Sequence, residues 1–204
     1  MSLRLVTDAT AEPVSVADLK TFIGLGQSTE EDAFLTAIEK AARQYAENYT
    51  KRNCLPQTWQ LKLDEFPDDD ILLMRAPLST DVTNVVITYL DPTSGDSTTL
   101  SSTSYTVDYD SEPGRIFLSA SGDWPDVFDR KGAITIQFVA GFKCNTAVTP
   151  ATDTCPEDIE AWIKMRTKAM YESRDSHGDR QVYEAPHSFI DGLLDRHVLI
   201  DVRP

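Results

Sequence analysis

Thiols and long apolar runs are scarce in this chain of 204 residues, and each shortage excludes a class of protein. The three cysteines, Cys54, Cys144 and Cys155, are an odd number and form no C-x-x-C pair, which excludes a disulfide-stapled scaffold and a zinc knuckle. Reduced thiols in a cytosol fit best, although Cys144 and Cys155 flank one loop and could meet. No apolar run approaches the roughly 20 residues that span a bilayer. The opening MSLRLVTDAT lacks the apolar core of a secretory signal, so we expect the protein to stay in the compartment where it is made.

Basic residues are also in short supply. Lys and Arg number 19 against 33 Asp and Glu, which gives a formal net charge of -14. A surface this acidic repels phosphate groups and anionic lipids, so direct nucleic-acid binding is not expected. Hydrophobic residues make up 41% of the chain, which is enough for the core of one large domain or two small ones.

The sequence signatures of enzymes and metal sites are missing as well. It contains no G-x-S-x-G, no P-loop and no G-x-G-x-x-G. The histidines His177, His187 and His197 show no metal-ligand spacing, and the acidic segment 64–70 lacks the order of a calcium loop. We interpret the histidines as solvated or interface residues and the acidic segment as a solvated turn. Cys54 has no histidine nearby and is predicted to be a small buried or half-buried residue rather than a nucleophile. No catalytic residue, metal or cofactor is predicted.

Helical periodicity begins at Val16 and continues to Tyr49. Ser15 is the predicted N-cap of a short helix that Gly24 ends, and Ser28 or Thr29 is expected to cap a longer second helix. The apolar stripe predicted for the second helix comprises Phe34, Ile38, Ala41, Ala42, Tyr45 and Tyr49.

Between residues 56 and 140 the hydrophobic period changes from helical to alternating. The predicted strands lie at 59–63, 71–74, 82–90, 105–109, 115–118 and 133–140. Short strands separated by turn signals favour a small antiparallel sandwich or barrel.

The C-terminal part of the chain returns to helix. Thr154 or Cys155 is the predicted N-cap of a third helix with Pro156 at its first position, and a short apolar helix follows over 189–194. One face of the third helix is predicted to hold Ile159, Trp162, Ile163, Arg166, Ala169 and Met170.

These segments together predict an α+β fold. Because neither helical end can bury its apolar stripe alone, the two ends are expected to pack on each other. The prediction is an α-helical bundle domain of residues 1–55 and 150–204, with an antiparallel β-sandwich or barrel-like domain of residues 56–149 inserted into it.

The three tryptophans have different predicted roles. Trp59 and Trp162 fall on the apolar sides of a strand and a helix, which favours core packing. Trp124 lies in a loop, and it is either a structural residue or a contact residue on the tail side or between subunits.

Several segments, taken in their order and spacing, resemble the head–tail connector proteins of tailed phages, also called adaptor or head-completion proteins. The similar segments are Pro13–Lys20, Glu30–Asp32, Ile38–Glu47, Thr58–Leu61, Ser111–Ile116, Phe138–Phe142, Pro156–Ile159 and Tyr171–Arg174. The three segments from the strand region are similar to the longer members of that family, which carry an inserted β domain.

The resemblance implies a non-enzymatic virion protein of the neck, assembled in the host cytoplasm. Such adaptors form a ring below the portal, matched to its twelve-fold symmetry, and connect the capsid to the tail. The implied partners are the portal protein, a tail-side neck protein and further copies of the chain, with DNA passing through unbound. The acidity fits this role, because an acidic wall lets a duplex slide.

The resemblance also implies that residues 187–204 reach into a neighbouring subunit or the portal. The predicted partner-binding residues are Phe189, Leu193, Leu194, Val198, Leu199, Ile200 and Val202. These residues are too apolar for a free tail, and a terminal apolar strand can add to a partner's sheet edge or groove. An equally open alternative is that the segment folds back on its own domain.

Three other functions stay open on the sequence. The chain could be another neck or tail-completion protein, which binding to the portal would discriminate. It could be a small hydrolase, which buried, mutually perturbed carboxylates in a cleft would support. It could be a carbohydrate- or protein-binding module that uses the loops around Trp124.

Overall fold

The computed structural model describes residues 1–120, 122–142, 154–173 and 192–199. Two compact units divide the chain. The first, the β unit, comprises Met1–Ala9 and the described part of Leu55–Thr154. The second, the helical unit, comprises Thr10–Cys54 and the described part of Cys155–Ile200. Residues 1–9, which the sequence analysis assigned to the helical domain, therefore belong with the strands.

The β unit contains two antiparallel sheets. Its strands are β1 (Ser2–Thr7), β2 (Gln57–Leu63), β3 (Ile71–Leu73), β4 (Val86–Leu90), β5 (Ser97–Thr99), β6 (Tyr105–Asp108), β7 (Gly114–Leu118) and β8 (Ile134–Ala140). Five strands form one sheet in the order β1-β2-β8-β4-β5, and three form the other in the order β3-β7-β6. With the helices described below, these sheets confirm the predicted α+β fold class.

Side chains of both sheets share one hydrophobic core. In β8, Ile134, Ile136 and Phe138 are fully buried while Thr135 and Gln137 point the other way, as a strand of period two requires. Leu73 of β3 and Ile116 of β7 join the same cluster from the three-stranded sheet. The two sheets therefore pack as a sandwich around this core.

The structure corrects the strand predictions in three places. β1 and β5 are absent from the predicted strands, because the alternation of Leu3 and Leu5 in β1 ends at Val6 and β5 is the polar, exposed run Ser-Thr-Thr. The strand predicted at 82–90 begins only at Val86. A short 3-10 helix precedes it over Val82–Asn84, where the Asp81 carboxylate accepts a hydrogen bond from the Thr83 amide at 2.9 Å.

The helical unit contains three described helices, α1 (Val16–Ile23), α2 (Asp32–Thr50) and α3 (Glu157–Glu172). Ser15 caps α1 by accepting a hydrogen bond from the Asp18 amide, and Gly24 ends α1 in the left-handed conformation at φ 88°. Both predictions for α1 are confirmed.

The predicted caps of the other two helices are wrong. Glu31, rather than Ser28 or Thr29, is the N-cap residue of α2, and its carbonyl accepts from the Leu35 amide. Pro156 is itself the N-cap of α3 rather than its first helical residue. Neither Glu31 nor Pro156 caps its helix through a side-chain hydrogen bond to the helix's own amides, so the side-chain preferences behind the predictions did not decide these two starts.

The predicted apolar stripe of α2 is also offset from the face that is buried. Phe34, Tyr45 and Tyr49 are exposed, and Tyr45 keeps 51% of its surface accessible. The buried face consists of Leu35, Glu39, Ala42, Arg43, Ala46, Glu47 and Thr50. The aromatic residues lie at the flank of this buried face instead. The stacked rings of Tyr45 and Trp162 of α3 have centroids 5.4 Å apart, and the ring centroids of Phe34 and Tyr171 are 6.3 Å apart.

The face predicted for α3 is buried only in its first half. Ile159, Trp162 and Ile163 are buried, whereas Arg166 and Ala169 are exposed. The buried Trp162 and the nearly buried Trp59 confirm the predicted core roles of both tryptophans.

Candidate interaction site

The described part of the predicted partner-binding segment docks on the helical unit of its own chain. Residues 192–195 form a helical turn, and the Leu194 side chain is 1% exposed. The Leu199 amide donates to the Thr50 carbonyl at 3.0 Å, at the end of α2. Leu193, Val198 and Leu199 are half-buried. Phe189, Ile200 and Val202 lie outside the described residues.

Polar contacts complete the attachment of this segment to α2. The Tyr49 hydroxyl donates to the Asp195 carboxylate at 2.6 Å, and Arg52 Nε donates to the His197 carbonyl at 2.8 Å. Both bonds join residues about 145 positions apart in the sequence, so no local pattern announces them.

A third set of contacts attaches the C-terminal segment to Asp158, in the first turn of α3. His197 Nε2 lies 2.9 Å from both carboxylate oxygens of Asp158, and Arg196 Nε lies 3.0 Å from one of them. Burial raises the pKa of Asp158, but the hydrogen bond and charge of His197 outweigh it and hold the pKa below its ordinary value. The carboxylate therefore stays ionised at neutral pH and retains the segment.

A buried ionic cluster lies on the inner face of α2, and the sequence analysis missed it. The Arg43 side chain is fully buried and contacts Glu12 at 2.6 Å and Glu47 at 2.9 Å. Glu47 in turn accepts a hydrogen bond from the Cys54 amide at 2.9 Å. The spacing of Glu39, Arg43 and Glu47 at four-residue steps was a readable signal, because such residues share one helix face.

Glu39 lies on the same buried face of α2 and forms no ion pair among the described residues. One carboxylate oxygen accepts from the Val14 amide at 3.1 Å, and the other has no hydrogen-bond partner among the described residues. Burial raises the pKa of Glu39 to about 7, with a further contribution from the nearby Glu12 carboxylate. Glu39 therefore ties the segment before α1 to α2.

Two of the three cysteines meet in the helical unit. Cys54 and Cys155 are both buried free thiols, and the hydrogen bond between them, followed by burial, raises the pKa of Cys54. This confirms the prediction that Cys54 is a small buried residue. Cys144, the other partner considered for Cys155, lies outside the described residues.

Trp124 packs against its own domain. Its ring stacks on Phe66 at a centroid distance of 4.5 Å, and both rings pack against the core of the β unit. The structure therefore gives Trp124 a structural contact, and its predicted role on the tail side or between subunits stays a prediction.

The described residues form no grouping of three or more His, Cys, Asp or Glu side chains suited to a metal ion. His177 and His187 lie outside those residues. No helix in the described ranges is both long enough and apolar enough to cross a membrane.

The whole chain is similar in fold to proteins of known structure. A chain in the neck of an empty GTA particle, computed with C6 symmetry, superposes with a TM-score of 0.76 at 23% sequence identity. Chains in the virion of a native gene transfer agent (GTA) particle and in the native neck computed with C12 symmetry give TM-scores of 0.73 and 0.72, each at 22% identity. Each of these three likenesses covers 100% of this chain and 98% of the other. These likenesses show a shared fold.

No protein-family model and no curated protein matches the sequence.

Proposed function

We propose that this chain is a structural, non-enzymatic protein in the neck of a phage-like particle. The observation that supports this role is the full-length likeness to chains of GTA necks, at a TM-score of 0.76 over 100% and 98% of the two chains. A likeness that includes both units and leaves neither chain with an unmatched domain favours the same architectural role. The sequence resemblance to head–tail connector proteins points to that role independently.

Within the neck, we propose that the chain is the connector between portal and tail. Copies of it close into a ring that lines the DNA channel, and necks of the similar chains have been computed with C6 and C12 symmetry, which supports twelve copies in the ring. Head-to-tail contacts between identical subunits build such a closed ring. The net charge of -14 suits a channel wall that DNA must pass without binding.

The C-terminal segment is the proposed contact to the portal or to a neighbouring subunit. Leu194 is fully buried against its own helical unit, so it acts as the anchor rather than as a contact residue. Leu193, Val198 and Leu199 are half-buried, which leaves apolar surface for a partner. Phe189, Ile200 and Val202 extend this proposed contact on the sequence.

Mixing the purified chain with the portal ring of the same particle tests the proposal. Electron microscopy and native mass measurement should show a ring stacked on the portal. Val198→Asp combined with Val202→Asp should abolish stacking while the chain stays folded, because two charges enter an apolar contact. Val86→Asp, at a valine that is 40% exposed on β4, is the matched control and should leave stacking intact.

The outcomes separate the proposal from its alternatives. If a well-folded portal forms no complex with the chain, the connector role is wrong, and another neck or tail-completion role becomes the better reading. If a complex forms but the double aspartate variant still stacks, the C-terminal segment is not the contact.

A further inference from the structure

One corner of the β unit holds an open apolar groove. It has a volume of about 470 Å³. Its apolar lining comes from Met1, Leu61, Leu63, Ile71, Leu72 and Met74. Leu61 and Ile71 are almost fully buried members of the sandwich core, so the groove reaches down to that core. An apolar ligand that filled it would continue the core instead of lying on the surface.

The groove is lined in part by β3, whose outer edge pairs with no other strand in the described ranges. β3 is the edge strand of the three-stranded sheet and pairs only with β7. Its other side therefore presents backbone N–H and C=O groups that can accept another strand. Apolar pockets beside such an edge are the features that β-augmentation uses, since main-chain bonds give affinity and pockets give specificity.

The charged side chains that line the groove are both acidic. Glu65 and Asp70 line it, and no Lys or Arg does. Among the described residues, Arg115 is the cation that pairs with this lining, 3.9 Å from Asp70 in an exposed ion pair. The occupant that complements this lining carries Lys or Arg beside its apolar residues. With 19 Lys and Arg against 33 Asp and Glu, this chain is a poorer source of such a basic segment than a different, more basic protein.

We propose that this groove binds an extended, apolar segment of a different protein, flanked by Lys or Arg, which adds as a strand beside β3. The identity of that protein as a neighbour in the particle rests on the proposed function, whereas the chemistry of the groove does not. The apolar side chains of the segment fill the cleft over Leu61 and Ile71, and its basic residues pair with Glu65 and Asp70.

The test uses the full chain and two designed peptides. One has the sequence acetyl-Lys-Val-Thr-Val-Thr-Val-Lys-amide, and the other replaces both Lys by Glu. At low salt, the Lys peptide should bind at least about ten-fold more tightly by NMR titration, and it should slow hydrogen exchange of the amides at 71–73. Reversing the rim with Glu65→Lys and Asp70→Lys should reverse the preference.

A matched control lies in the same loop. Asp68 and Asp69 are exposed but do not line the groove, so Asp68→Lys with Asp69→Lys makes the same change in net charge. This control should alter the affinity ratio by less than about two-fold, because exposed charges away from the contact are screened. Circular dichroism and thermal unfolding check that each variant is folded.

Several results would overturn the inference. They are equal binding of both peptides, exchange protection on another strand, or a control variant that behaves like the rim variant. Self-association of the wild-type chain through residues 71–73 would also overturn it, since the occupant would then be a second copy. The peptide experiment needs no portal or ring, so its failure leaves the proposed function standing, and failure of portal binding leaves this measurement standing.

Discussion

Glu39 shows how a single buried carboxyl links this fold to pH. Its pKa of about 7 in the folded chain lies above the ordinary 4.5, so the folded state keeps a proton that the unfolded state releases between these values. Stability therefore falls as the pH rises from about 4.5 through 7. Burial is the main structural cause, because the hydrogen bond from the Val14 amide and the charge of Arg43 offset only part of the cost of burying the carboxylate.

Glu39→Gln should stabilise the protein at pH 8 by about 2 kcal/mol and have little effect at pH 5. The amide can keep the bond from the Val14 N–H and has no charge to bury. Urea unfolding at the two pH values measures the difference. Glu30→Gln, at an exposed position, is the control and should change stability at neither pH. If Glu39→Gln is only as stable as the wild type at pH 8, the explanation from the buried charge is wrong.

Gly141 is required by the backbone around it. Its φ is 141°, and a Cβ at this position would lie 2.1 Å from the Leu55 carbonyl oxygen. We expect Gly141→Ala to lower the free energy of unfolding by at least about 3 kcal/mol, because a backbone atom cannot move aside cheaply. Gly26→Ala, where no atom lies within 4 Å of the added Cβ, should change it by less than about 0.5 kcal/mol. Thermal unfolding of both variants decides the point, and equal stability would refute it.

At the scale of elements, local sequence signals decided α1 and most strands but not the inner face of α2. Ser15 and Gly24 act on backbone groups within four residues, so their effect can be read from the sequence. Which face of α2 is buried depends on Glu12, which lies 31 residues from Arg43 and neutralises it. A charged helix face can be buried only when such distant partners neutralise it. Hydrophobic periodicity carries no information on these partners, so it predicted burial of the aromatic flank instead.

Removing the single negative charge of Asp158 should loosen the attachment of the C-terminal segment. Asp158→Asn weakens the contacts to His197 and Arg196, so the Leu199 amide should exchange about five- to ten-fold faster in hydrogen-exchange NMR. Because the pKa of Asp158 is lowered, this contribution is present at neutral pH and is lost as the pH falls below the ordinary titration range of an aspartate.

Glu157→Gln is the control for this element. It removes the same charge from the same turn of α3, and Glu157 is exposed. The Leu199 amide should exchange in this variant as in wild type. An equal acceleration in both variants would assign the effect to the helix dipole rather than to the His197 contact.

At the scale of the whole molecule, the net charge of -14 governs the response to DNA. We expect no retardation of a 30-base-pair duplex at about 50 mM salt and about 10 μM protein, since few phosphates can be neutralised. An electrophoretic mobility assay makes the measurement, with a basic DNA-binding protein as positive control. A shift that disappears as salt is raised would contradict the proposed passive channel wall.

The sequence by itself determined the fold class, the order of most elements, the acidity, and the core roles of Trp59, Trp162 and Cys54. These properties depend on composition, period and neighbours along the chain. Only the tertiary structure decided that β1 joins the strands, that Cys54 meets Cys155, and that Leu194 is an anchor. Each of these needs residues far apart in sequence to come together, and the free energy of such contacts is absent until the chain has folded.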